Sequence, residues 1–220
     1  MKRLHTLSQL KRKKIFRRPR ARVLVVSEGS KTEGLYLSLL IRAHGASNVS
    51  VDLYGRECGT DPISVVEFAR QKFNSDGDYD VCYCLIDRDS LPLQNFARAL
   101  KICETVNRKS GKREFAAIIS YPCVEVWFLF HFVFRRAPFV SVGGKSPADA
   151  VIVELKKYLP AYSKADRGEI EKLLPRTSEA IKNADLAASD ADNTGEPNPS
   201  TSMHLVVSKI VDEAKLTRNI

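Results

Sequence analysis

The residues best suited to chemistry are three acids, Glu28 in "VLVVSEGSKTE" and Asp87 and Asp89 in "CLIDRDS". Glu28 stands where an apolar run ends and a glycine turn begins. A strand that feeds a helix through such a turn often binds phosphate with its backbone amides. An anion at that mouth repels phosphate unless a cation stands between them. Ser30, Lys31 and Thr32 look like the tail of a nucleotide-binding phosphate loop, but that motif needs glycines at positions 25 and 30, where the chain has Val25 and Ser30. In an extended segment residues i and i+2 share a side, so Asp87 and Asp89 face one point while Arg88 faces away. If the strands that end at Glu28 and Asp87 are neighbours, three carboxylates converge. Unpaired anions that close raise one another's pKa values, which a divalent cation with oxygen preference, Mg²⁺ or Mn²⁺, would relieve. Glu28, Asp87 and Asp89 are therefore the candidate metal ligands and catalytic groups, with Glu125 as a further candidate ligand.

Each residue also has a purely structural explanation. Glu33 follows Ser30 by three positions, the Ser-x-x-Glu of a capping box, and is assigned mainly to closing the start of a helix. Asp87 and Asp89 are common turn formers after strands. Glu125 sits in the first turn of an otherwise apolar helix, where an acid complements the helix dipole. His131, among Phe and Leu, reads as a packed core residue rather than a base. Lys31 is either a surface residue or a phosphate contact. Asp190 and Asp192 fall in a polar stretch, "ASDADNTGEPNPS", which reads as a solvated loop.

These acids need a scaffold, and the hydrophobic pattern supplies one from Arg22 onward. Strands are expected at 23–27, 49–54, 79–86 and 115–120, alternating with helices at 32–43, 62–73, 93–106 and 122–132, the last with Pro122 in its first turn. Such alternation implies right-handed crossovers and a doubly wound parallel sheet of about four strands. Beyond Phe139, "SVGGKSP" reads as a linker to helices near 147–158, 169–186 and from about 201. The expected organisation is a basic arm over 1–21, an α/β core over 22–139, and a helical extension over 140–220 packed on that core.

The net charge of +9 is concentrated in the arm: residues 1–22 hold ten Lys and Arg and no acid, leaving 25 basic against 26 acidic residues elsewhere. Lys11, Arg12, Lys13, Lys14, Arg17 and Arg18, with Lys31, are the candidate nucleic-acid contacts; a mobile solvated tail is the competing explanation. Five cysteines without a C-x-x-C pair suggest buried free thiols in a reducing cytoplasm. No run is long enough to span a membrane.

Four segments, "VLVVSEGSKTE", "YDVCYCLIDRDS", "IISYPCVEVWFLFHF" and "EPNPSTSMHLV", resemble in order and spacing the signature blocks of the RloB-like family, from about Arg20 to the C-terminus. That family is similar to Toprim domains, in which a glutamate after the first strand and an Asp-x-Asp after the third bind Mg²⁺ for nucleic-acid strand chemistry. The resemblance carries those roles onto Glu28, Asp87 and Asp89. Its Pro-Cys-x-Glu block falls on Pro122, Cys123 and Glu125, and its Asn-Pro-x-Thr block on Asn198, Pro199 and Thr201, with no role implied for either. It implies a Toprim-like fold and a nuclease on DNA or RNA, tRNA included. It also implies an effector role in antiphage defence beside a separate ATPase of the ABC or AAA kind, which agrees with the missing nucleotide loop. A non-catalytic regulatory or nucleic-acid-binding subunit is the alternative, and a homodimer is left open. A receiver-like phosphoacceptor fits less well, because it would need a lysine after a fifth strand.

Overall fold

The computed structural model describes residues 20–28, 32–45, 49–59, 61–76, 78–88 and 93–218. Lys11, Arg12, Lys13, Lys14, Arg17, Arg18, Lys31 and Asp89 lie outside these residues. Strand β1 (Ala21–Ser27) ends in five consecutive buried residues, and β3 (Val81–Asp87) is buried from Val81 to Ile86. Strands apolar on both faces must be covered on both, as in a parallel sheet. With β2 (Val49–Tyr54) and β4 (Glu114–Tyr121) they form that sheet, in the order β2-β1-β3-β4. A two-residue β5 (Ser200–Thr201) adds an antiparallel edge strand to β4. The architecture is consistent with the Toprim-like α/β class.

Alternation sorts the strand side chains into two layers. Val23, Val25, Tyr83 and Leu85 pack with α1 (Thr32–His44), α4 (Glu125–Leu129), α5 (Pro147–Leu155), α6 (Arg167–Glu171), α7 (Thr177–Thr194) and α8 (Met203–Arg218). Leu24, Val26, Cys82 and Cys84 face the other way, under α2 (Pro62–Ser75) and α3 (Leu93–Lys109). Asp61 caps α2 by accepting from the amides of Ile63 and Ser64, and Pro62 follows at the first position, where its missing N–H costs nothing. All five cysteines are buried free thiols.

Several expected elements take a different form. Pro122 belongs to the turn leaving β4, after a cis Tyr121–Pro122 peptide, and the helix that follows is only Glu125–Leu129. The helix expected over 169–186 is two, α6 and α7, because Pro175 cannot donate to a continuous ladder and sits in a 3₁₀ turn at Leu174–Arg176. The "ASDADNTGEPNPS" segment is not a loop from its start. Ala184, Ala187, Ala188 and Ala191 carry α7 on to Thr194, where Gly195 at φ 74° ends it, so Asp190 and Asp192 are helical. "SVGGKSP" is a tight turn, with Gly143 and Gly144 at positive φ between a bridged Val142 and Lys145, and Ser146 then caps α5 with Asp149 in a capping box. Among the described residues no helix is long and apolar enough to cross a membrane.

Candidate active site at the strand ends

The order β2-β1-β3 makes the first and third strands neighbours, with Ser27 beside Leu85, so Glu28 and Asp87 leave the sheet at the same edge. Chain order reverses between β1 and β3, and ligands of open α/β sheets collect outside the carboxyl ends at such a point. Asp87 shares the side of Val81, Tyr83 and Leu85, which α1 and α4 cover. Glu33 from the first turn of α1 and Glu125 from the first residue of α4 are brought toward it there.

The electrostatics follow from this crowding. Burial pushes the Asp87 carboxyl well above the usual carboxylate range; the charges of Glu33, Glu125 and, more weakly, Glu28 push it further, while an N–H bond from Val124 opposes them. Glu33, buried and accepting its own backbone N–H, is raised to about 6 by burial and by Glu125. Glu125 is 0% exposed: Oε1 accepts from the Tyr162 hydroxyl at 3.2 Å and faces Lys164 Nζ at 3.6 Å, whereas Oε2 is buried with no hydrogen-bond partner. Lys164 brings a positive charge to this crowd of acids through Glu125. Lys164 is held above its ordinary pKa chiefly by Glu125, with burial opposing.

Around this cluster the turn after β4 is fixed by backbone bonds. Arg88 N–H donates to the carbonyls of both Ser120 and Pro122 at 3.0 Å, tying the end of β3 to the turn that carries Cys123 and Glu125. Cys123 is buried, and burial together with Glu125 and Asp87 keeps it a thiol, so it is not a thiolate nucleophile. Lys164 precedes Ala165, which has φ 69°, the left-handed region that costs an alanine about 1–2 kcal/mol. The chain holds that strain where it aims a lysine at a buried carboxylate. Replacing Ala165 by Gly should leave the melting temperature unchanged or raise it by a few degrees, since relief of strain offsets the roughly 0.5–1 kcal/mol entropy cost of glycine. Ala165→Val should lower it, and thermal melts of the two variants check the pair.

Sequence reasoning placed Glu28, Asp87 and Asp89 at this edge, with Glu125 as a further ligand; the fold brings Glu28, Asp87 and Glu125 toward one another there, and Asp89 lies outside the described residues. Among the described residues no three His, Cys, Asp or Glu side chains already stand at metal-ligating spacing. The donor set still suits a hard divalent cation: it is built on carboxylates, Glu125 Oε2 among them is a buried orphan, and their mutual repulsion calls for positive charge. Missed by sequence reasoning were Glu33, Tyr162 and Lys164; only Glu33 left a signal, since it shares the helical stripe of Tyr36, Leu37 and Leu40, all buried. His131 is a core residue, its Nδ1 bonded to the Trp127 carbonyl at 2.9 Å and its Nε2 to the Tyr36 hydroxyl at 3.1 Å, and burial lowers it to about 4.

The Asn-Pro-x-Thr block does structural work beside the cluster. Thr201 meets Ser120, the β4 neighbour of Asp87, through their hydroxyls at 2.9 Å, and its oxygen accepts the Met203 N–H at the start of α8. Asn198 bridges both backbone groups of Phe139, and Arg136 binds the carbonyls of Glu196 and Pro199 and the carboxylate of Asp190. The family model described as RloB-like protein matches residues 23–210. No curated protein matches the chain. Because that match takes in the β1 turn, the Asp87 strand end, the Glu125 turn and the Asn198 block, the chain belongs to the RloB-like family.

Proposed function

We propose that the protein is a divalent-metal-dependent phosphodiesterase acting on DNA or RNA, the effector of an antiphage defence system whose ATPase is a separate chain. The observation that carries this reading is the meeting of Glu28, Glu33, Asp87 and Glu125 at the β1/β3 edge, with Lys164 paired to Glu125. Asp87 and Glu125, with Glu28 and Glu33 beside them, would hold Mg²⁺ or Mn²⁺. When bound, the cation supplies polarisation of the scissile phosphate and neutralises the leaving oxygen. Glu28, directly after the last residue of β1, would take or give a proton. Lys164, with a side chain 63% exposed, reaches from Glu125 toward solvent and is placed to meet a phosphate oxygen. The thiol of Cys123 and the Tyr162 hydroxyl position Glu125 without reacting.

The Lys164–Glu125 pair also favours a second reading, in which the lysine does a cation's work and the chain binds nucleic acid without turnover. Incubating the purified protein with mixed DNA and RNA and Mn²⁺ separates the two. Cleavage by wild type that Glu28→Gln removes, with native melting retained, supports the enzyme. Gln keeps the volume and loses the charge. If Glu28 only caps its turn, Glu28→Gln would instead lose roughly 0.5–2 kcal/mol of stability and keep activity, and tight binding without cleavage by wild type would favour the second reading.

A further inference from the structure

On the face of the sheet opposite α1, two open depressions of about 270 and 200 Å³ meet between α2 and α3, sharing Arg70, Thr105 and Val106. Arg70, Arg98, Lys101, Lys109 and Arg113 line them against a single acid, Glu67. Two of these cations are already engaged: Arg70 with Glu67 at 2.5 Å, and Arg113 with the Phe73 carbonyl at 3.0 Å while lying over its ring. Arg98, Lys101 and Lys109 have no ion-pair partner among the described residues.

Their spacing is the second observation. α3 buries Phe96, Ala99, Cys103 and Val106 against the sheet. Beside that seam Gln94, Arg98, Lys101, Thr105 and Lys109 recur every three or four residues, so they form one stripe, and it contains no acid. From Arg98 to Lys109 the stripe is about 16 Å long at the helical rise, the axial length of about five base pairs at 3.4 Å each. α3 starts just beyond the end of β3, so the stripe runs from the carboxylate edge of the sheet toward the opposite edge.

We propose that the groove between α2 and α3 is a binding track for the phosphate backbone of a nucleic acid. Unpaired like charges in a row repel one another, and a polyanion of regular spacing relieves all of them together while releasing its counterions. A protein partner is less well served, because stable protein interfaces are centred on large apolar or aromatic anchors and this stripe presents none. Phosphate contacts need only cations and neutral donors, which Gln94 and Asn74 add. The track rests on the nucleic-acid reading of the site but not on turnover there.

The test uses the full chain with chelator present, so that no cleavage occurs, and measures binding of labelled single-stranded and duplex oligonucleotides across a salt series. The triple variant Arg98→Gln, Lys101→Gln, Lys109→Gln should bind at least about tenfold more weakly, with the slope of log affinity against log salt reduced by about 2 to 3. A control pair on the other layer, Arg42→Gln with Arg167→Gln, should leave the slope unchanged. The track is overturned if the triple variant melts normally and binds with unchanged slope, or if the control pair costs as much. It is also overturned if the triple variant loses affinity for polyglutamate rather than for oligonucleotides. Because chelator removes turnover from every arm, a failure of catalysis is distinguishable from a failure of the track.

Discussion

Asp87→Asn is expected to cut metal-dependent cleavage by about a thousandfold or more and to raise the melting temperature of the metal-free protein by a few degrees. The first effect follows from the several kcal/mol that a bound cation contributes to the charge developing on a phosphate, at 1.36 kcal/mol per tenfold. The second follows from the surroundings of the carboxyl. Burial and the charges of Glu33, Glu125 and Glu28 hold Asp87 above its ordinary range, so its ionised form is opposed by the fold. For an acid with a raised folded pKa the stabilising contribution is complete below the unfolded value and is lost as pH rises through the folded one. Asn has no charge to lose and can still accept the Val124 N–H, so roughly 1 kcal/mol is recovered at neutral pH, about 2–4 °C for a chain of this size. Melting in chelator and cleavage with Mn²⁺ read the two effects separately. A variant that melts lower and still cleaves would remove Asp87 from the site.

Much of this edge was legible in the sequence because apolar runs are strong signals. The strands ending at Ser27 and Asp87 are buried on both faces and stand out from their polar flanks, and neighbouring strands then bring Glu28 and Asp87 to one edge. Glu33 was legible but ambiguous. The same three-residue offset from Ser30 that reads as a capping box also puts it on the buried stripe of α1, within reach of the Glu125 charge, while Ser30 itself lies outside the described residues. Lys164 left no signal, since it lies on no periodic element and its aim depends on a left-handed backbone at Ala165 that nothing in an alanine announces. The two residues of β5 are too short for a period, and their pairing with Ser120 and Tyr121 is a tertiary fact. The extent of α7 was misjudged for a different reason: Asp, Asn and Ser favour turns in isolation, but alanines between them and an Arg136–Asp190 ion pair at 2.6 Å carry the helix on.

Divalent cation should stabilise the protein in a way that grows with pH, and Glu33 sets where the growth occurs. Its carboxyl titrates near 6 in the metal-free fold, against an ordinary 4.5, because burial and Glu125 oppose its charge. The metal-free fold therefore takes up an extra proton at Glu33 between those values, and the contribution of this group to stability is greatest on the acid side. As pH rises through about 6 it loses about 2 kcal/mol from this group alone, at 1.36 kcal/mol per pKa unit. A cation competes with that proton for the same oxygens. At about pH 8 an Mg²⁺ concentration near one hundred times the dissociation constant should add about 2.7 kcal/mol, roughly 5–10 °C, whereas at about pH 5, where the proton holds the site, the same concentration should leave the melting temperature almost unchanged. Glu33→Gln should melt higher than wild type in chelator at pH 8, lose most of the pH slope between about 5 and 7, and show a smaller Mg²⁺ shift. If Glu33 serves only the helix start, the outcome differs in kind. The variant would then lose about 0.3–1 kcal/mol of dipole stabilisation wherever wild type is ionised, and its Mg²⁺ shift would equal that of wild type. Melting temperatures of the two proteins at three pH values, each with chelator and with Mg²⁺, decide between a carboxyl that waits for a cation and one that caps a helix.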